Sequence, residues 1–165
     1  MLSSRFPVAV QILIIMAWCP DNVKITSELL ATSVNTNPVI IRRIMAYLKN
    51  QGLITTASSI DGAKLIKAAE DITLLDVYKA VELTADNQLF GLHENTNPHC
   101  PIGKHINTVL KTHLGEARRA LENSLSEISI SELTKEFSPF AEFYNNLGLD
   151  GAKKLAPFPP LLETK

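Results

Sequence analysis

Apolar positions between residues 25 and 54 fall into two short runs at helical spacing, separated by a polar break. In the stretch ITSELLATSVNTNPVIIRRIMAYLKNQGLI, Leu30, Ala31 and Val34 share one face of the first run. Ile41, Ile44, Met45 and Leu48 recur in the second at i, i+3, i+4 and i+7, the spacing of a buried helical stripe. The polar punctuation agrees with this reading. Thr26 supplies a hydroxyl cap for the first helix, and Glu28 puts a carboxylate in its first turn, where it complements the helix dipole. Asn35 and Thr36 form the break, and Asn37 caps the second helix. Pro38 takes the first helical position, where a missing N–H costs nothing, and Gly52 ends the helix. The other face of the second helix holds Val39, Ile40, Arg42, Arg43, Ala46, Lys49 and Asn50. Two short helices joined by a tight turn predict a helix-turn-helix, which lays its second helix in the major groove of DNA.

The same periodicities extend outward. A helix is expected from about Ser4 to Trp18, capped by Ser3 or Ser4, with Val8, Ile12, Ile15 and Met16 on its apolar face and Pro20 and Asp21 closing it. Leu53 to Ala57 reads as a strand and Lys64 to Lys67 as its return, with Asp61-Gly62 as the turn signal. A hairpin directly after a helix-turn-helix is a wing. Asp71 then caps a helix over ITLLDVYKAVE, with Leu74, Leu75 and Val77 in the core and Asp76 on the surface. After a polar loop at 88–98, a long helix runs from Pro101 to about Ser126. Its stripe of Ile102, Ile106, Val109, Leu110, Leu114, Ala117, Leu121 and Leu125 spans about seven turns. That is more apolar face than a small winged helix covers, so a partner is implied, most simply a second copy of the chain. Ser129 or Ser131 caps a last short helix, SELTKEF, and the stretch after Ser138 reads as a loose tail with a short helical piece near Phe140 to Leu147. The expected fold is mainly α with a small β-hairpin wing, a winged helix-turn-helix plus a long dimerisation helix. Residues 1–83 would bind DNA, 84–137 would form a sensor-type loop and the dimerisation helix, and 138–165 the tail.

Composition narrows the setting. A hydrophobic content of 45% over 165 residues is enough for a real core. The net charge of −1 is not the basic footprint of a constitutive nucleic-acid binder, but a local basic patch doubled in a dimer suffices for a regulator. The apolar run at 12–18 is too short for a membrane span and lacks the flanks of a secretory signal. Two cysteines, Cys19 and Cys100, point to a reducing compartment without a disulfide framework, hence the cytoplasm. No Gly-rich phosphate loop, no G-x-S-x-G elbow and no carboxylate pair at metal spacing occurs, so catalysis is not expected.

The chemistry-bearing candidates follow from this frame. Arg42 and Arg43 carry planar forks that bond the O6/N7 edge of guanine or grip phosphate. Thr36, Asn37 and Val39 lie at the start of the recognition helix, where side chains and backbone N–H groups meet base edges or phosphate. Thr26 and Ser27 hold the matching place on the first helix; Lys49 and Lys64 supply further phosphate-binding charge. Cys100 stands just before Pro101 at the start of the long helix, where the dipole favours thiolate, with His99 and His105 near in sequence; this makes it a candidate redox sensor. Cys19, at the end of an apolar helix, reads as core. His93, His99, Cys100 and His105 match no short zinc motif, so no metal and no cofactor is assigned.

The order of these elements resembles the Rrf-two family of bacterial winged-helix repressors, the group of IscR, NsrR and CymR. SSRFPVAVQIL is similar to the family's opening helix, TSELLATSVNTNPVIIRRIMAYLKNQGLI to its helix-turn-helix, and EDITLLDVYKAVE to the helix after the wing. The resemblance implies a homodimeric transcription regulator that binds double-stranded operator DNA, in which the positions of Arg42 and Arg43 face bases and the long helix forms the dimer interface. The chain departs from the family at two places. Its wing reads ASSIDGAKLI, with Ser58-Ser59 and Ala63-Lys64 where Arg-Gly and Gly-Tyr are usual, which leaves Lys64 rather than an arginine to reach the backbone. Its loop LFGLHENTNPHCPIG holds Cys100 alone, where cluster-binding members have three cysteines. The neutral charge and altered wing also fit a competing reading, a protein–protein interaction module that kept the fold and lost DNA binding.

Overall fold

The computed structural model describes residues 4–19, 23–56, 62–82, 90–93 and 95–137. The order of elements is α1 (Arg5–Trp18), α2 (Ser27–Val34), α3 (Pro38–Asn50), β1 (Ile54–Thr56), β2 (Ala63–Leu65), a 3-10 turn (Ala69–Asp71), α4 (Leu74–Val81), α5 (Pro101–Ser126) and α6 (Ile130–Glu136). The fold is mainly helical with a small antiparallel hairpin and one long helix near its C-terminal end, as the periodicity predicts. None of its helices, among the described residues, is long and apolar enough to cross a membrane.

The helix-turn-helix is fixed by local chemistry. Thr26 Oγ1 accepts from Leu29 N at 3.1 Å, removing one of the orphan donors at the start of α2. At the other end Asn35 takes φ 56°, which lets Thr36 N donate to Ala31 O (3.0 Å) and Asn35 N to Thr32 O (3.4 Å). This pair of bonds closes a helix through a left-handed residue, a place that asparagine tolerates. Asn37 Oδ1 accepts from Val39 N at 2.8 Å and so caps α3, with Pro38 as its first residue. α3 ends by the same device: Gly52 at φ 69° lets Leu53 N reach Leu48 O (3.0 Å) while Gly52 N reaches Lys49 O (2.9 Å). Leu30, Ile41, Ile44 and Leu48 are fully buried against Ile12 and Leu13 of α1 in one core.

The wing strands are shorter than their apolar runs suggest. Ile54 pairs with Leu65, Thr55 with Lys64 and Thr56 with Ala63. The wing tip at 57–61, including Ser58, Ser59 and Asp61, lies outside the described residues, as does the tail from 138 on with its expected helical piece. Gly62 shows how the hairpin is seated. A Cβ there would stand 2.7 Å from the backbone oxygen of Ile25, at φ 73°, while Ala63 N donates to that oxygen at 2.9 Å. The return strand is therefore docked against the segment that leads into α2, and only glycine permits the approach.

Two caps differ from the sequence expectation. Ser4 holds the N-cap position of α1 without a capping bond from its side chain, and Ser3, the other expected cap, lies outside the described residues. Asp71 does not cap α4; it ends the 3-10 turn two residues upstream. The cap is Thr73, whose extended backbone lets Oγ1 accept from Asp76 N (3.3 Å) while Asp76 Oδ2 accepts from Thr73 N (3.0 Å). Asp76 is thus half of a reciprocal capping box and not a surface bystander. Leu75 is half-buried and outside the main core, whereas Val77, Tyr78 and Val81 are buried. Thr73→Ala is expected to lower unfolding free energy by about 1 kcal/mol, and Asp71→Ala by a few tenths at most, as read from urea denaturation midpoints.

Beyond α4 the chain leaves the core and returns. α5 has no buried residue along its 26 positions. Ser129 caps α6 by accepting from Glu132 N at 3.1 Å. Thr73 and Ser129 then form an antiparallel bridge, flanked by Leu74 N to Ile128 O (2.9 Å) and Ile130 N to Ile72 O (2.8 Å). Ile72 and Ile130 are both fully buried.

Candidate nucleic-acid interface

α3 presents its outer side to solvent. Val39 and Ile40 are 61% and 49% exposed, large apolar side chains that face solvent. Arg42 and Arg43 stand on the same helix, both exposed, and each guanidinium is held by a named neighbour. Arg42 Nη1 reaches across to α2 and bonds Glu28 Oε1 at 3.2 Å. Glu28 Oε1 also accepts from Ser27 Oγ at 3.1 Å. Its own backbone N–H first, and then the Ser27 hydroxyl, hold the Glu28 carboxyl below the usual glutamate range, so it is a carboxylate across the whole neutral interval. Arg43 lies along its own helix, with Nε donating to Tyr47 Oη at 3.0 Å and the guanidinium 6.0 Å from the ring centroid. That contact lowers the Tyr47 phenol below its ordinary value.

The remaining sequence candidates take three kinds of place. Thr26 caps and Ser27 begins α2, and Thr36, Asn37 and Val39 surround the start of α3; at both helix starts the dipole favours an anion, although the Leu29 and Val39 N–H groups are already taken by the Thr26 and Asn37 caps. Lys49 closes the far end of α3, its Nζ donating to Thr56 Oγ1 of the wing at 2.9 Å. Lys64 is exposed on β2. Two further residues emerge from the geometry. Glu28 reads in sequence only as a dipole partner, because Arg42 is fourteen positions away and meets it across the turn. Tyr47 stands four residues after Arg43, a spacing that does signal contact on a helix surface.

Cys100 is the N-cap residue of α5, half-buried, with no capping bond from its side chain. The loop before it lies along the first turns of α5. Asn97 Oδ1 accepts from His99 N (2.9 Å), and Asn107 Nδ2 donates to His93 O (2.8 Å). Gly103 admits the loop: a Cβ there would be 2.6 Å from Asn97 O. Cys19 sits at the end of α1 against the core, and burial pushes its thiol up.

Comparison with known proteins gives a consistent result. The model of the family described as Rrf2, iron-dependent transcriptional regulator, matches residues 2–136. The chain is 41% identical over 133 residues to YwnA of Bacillus subtilis, a protein named as an HTH-type transcriptional regulator; the match spans 81% of this chain and 96% of YwnA. A crystal structure described as that of a DNA-binding protein is similar with TM-score 0.63 and 38% identity, covering 79% of this chain and 98% of the other. The structure of a transcriptional regulator from Lactobacillus plantarum shares the fold with TM-score 0.68 at 24% identity, covering 87% and 96%. Two of these relatives are named as transcriptional regulators and the third as a DNA-binding protein.

The family description names iron, whose clusters are held by cysteine thiolates. Three cysteine thiolates are needed on one loop, and the sequence has two cysteines in all, one of them packed at the end of α1. No group of three or more His, Cys, Asp or Glu side chains converges among the described residues. The donor set does not fit a three-thiolate cluster.

Proposed function

The chain belongs to the Rrf2 family of transcriptional regulators, and from that premise we propose that it acts in the cytoplasm as a homodimeric, sequence-specific repressor of pseudo-palindromic operators. The observation that carries this reading is the outer face of α3, where Arg42 and Arg43 stand exposed beside Val39 and Ile40. One such helix per subunit enters successive major grooves about one helical turn apart. Thr26, Ser27, Thr36 and Asn37 meet the backbone at the two helix starts, and Lys49 and Lys64 add charge near the wing. Counterion release by these cations makes binding salt-dependent. The second copy is held through α5, whose Ile102, Val109 and Leu110 are large apolar side chains exposed to solvent.

The proposed signal is thiol modification at Cys100. What supports it is the free, half-buried thiol at the junction of the loop and α5, where added bulk or oxidation displaces the helix start. Selection of bound fragments from a genomic library, with and without peroxide, tests target and signal together. A discrete palindromic motif is expected, with peroxide changing recovery for the wild type and not for Cys100→Ser. Recovery of no motif would favour the interaction-module reading; a peroxide effect that survives Cys100→Ser would remove the thiol signal.

A further inference from the structure

On the reading that α3 enters DNA, we propose that Glu28 is a specificity-determining positioning residue: it holds the Arg42 fork toward a base edge and keeps it off the phosphates. The first helix of a helix-turn-helix crosses the DNA backbone, so its opening turn is a poor place for a free carboxylate. Glu28 nevertheless stands there, two residues after the Thr26 cap and 65% exposed on its side chain. Its position is explained by what it holds. Oε1 takes one hydrogen from Ser27 Oγ and one from Arg42 Nη1, so a single oxygen ties the start of α2 to the recognition helix.

The consequence for Arg42 is a restricted choice. A guanidinium has five donors in a rigid fork, and bonding through Nη1 leaves the others for the bidentate O6/N7 contact with guanine. An unheld arginine on the same face would turn to the nearest phosphate, which carries no sequence information. The negative charge beside it disfavours that turn, because any phosphate approaching Arg42 also approaches Glu28. Glu28 therefore weakens binding to every duplex and weakens it least for the one whose base edge accepts the held fork. This is specificity obtained by penalising the wrong partner. Arg43, held along α3 by Tyr47, has no carboxylate partner among the described residues and is the arginine left to contact the backbone.

The test compares wild type, Glu28→Gln, Glu28→Ala, Arg42→Ala and the double variant that adds Glu28→Gln to Arg42→Ala. The probes are a randomised duplex library and a duplex of unrelated sequence, read at several salt concentrations. For Glu28→Gln and Glu28→Ala, affinity for the unrelated duplex is expected to rise several-fold. The specific-to-nonspecific ratio should fall about tenfold or more, the order of one lost base contact. The slope of log affinity against log salt should steepen by about 1.8, the value of one uncompensated phosphate contact in each of the two subunits. The selected motif should lose information at one position per half-site. In the Arg42→Ala background Glu28→Gln should leave the ratio unchanged, since the residue acts through Arg42. Thermal unfolding of each variant separates these effects from loss of fold, which would alter binding to both probes alike. Unchanged ratios in both single variants would overturn the proposal, as would a position that switches from cytosine to adenine in Glu28→Gln, because Glu28 would then read the base itself. If the wild-type protein selects no motif, the DNA-binding reading fails and this inference with it; a wild-type motif that Glu28 does not affect removes the inference alone.

Discussion

Alanine at both Arg42 and Arg43 is expected to abolish operator binding and to leave fold and dimer intact. Both side chains are exposed, and their protein partners are a solvent-facing carboxylate and a tyrosine on the same surface. Ion pairs of this kind contribute little to stability, so unfolding should shift by no more than about 0.5 kcal/mol per site. Their contribution to DNA recognition is of another size. A bidentate arginine–guanine pair is worth about 1–3 kcal/mol of discrimination, and a dimer loses the pair from both half-sites. Two such losses amount to about 2–6 kcal/mol, a drop in operator affinity of about thirtyfold to more than ten-thousandfold. Gel shift measures the loss, while circular dichroism and light scattering check fold and assembly. Wild-type affinity in the double variant would show that α3 does not read DNA. The two single variants should differ in kind: Arg42→Ala flattens one base preference, and Arg43→Ala weakens all sequences more evenly.

The second large effect concerns α5. Ile102 and Val109 are 74% and 54% exposed, seven residues apart and therefore on one side of the helix. Neither belongs to the core, so placing aspartate at both positions should leave the winged body folded. It should nevertheless convert a dimer into a monomer, because two pairs of like charges would face each other across an otherwise apolar seam. Operator affinity should then fall about a hundredfold or more, since one half-site no longer tethers the other. Light scattering and gel shift on the same preparation decide this. A variant that remains dimeric would place the interface elsewhere.

Much of the architecture was legible because it is written locally. Thr26, Asn37, Pro38 and Gly52 punctuate α2 and α3 by rules that involve neighbours within a few residues, and the bounds of α5 follow from Pro101 and an unbroken stripe. The miss at Asp71 has a local cause as well. Both Asp71 and Thr73 are good caps, and only the fit of Thr73 to Asp76 three residues on selects between them. What sequence spacing did not carry is everything that meets across the fold. The Glu28–Arg42 pair, the seat of Gly62 on Ile25 and the bridge between Thr73 and Ser129 each join residues with no periodic relation. In the candidate site the bases of recognition were therefore readable as residue types, while the partners that orient them were not. The relation of Arg43 to Tyr47 is intermediate: the spacing was there to be seen, but nothing in a periodic pattern says that the pair matters.

The bridge between Thr73 and Ser129 also has a consequence for how the molecule is made. Ile130 fills the same core as α1 and α4, and the backbone of Ile128 and Ile130 pairs with that of Leu74 and Ile72. A nascent chain that has emerged only as far as Val81 leaves those groups of Ile72 and Leu74 without their protein partners and an isoleucine-sized gap beside α1. The winged body is thus not a cassette that finishes before α5 is made. Synthesis has to run through the whole of α5 before the body can close around Ile130. By then α5, the proposed dimerisation helix, is already outside the ribosome, so completion of the winged body and availability of the proposed pairing surface arrive together.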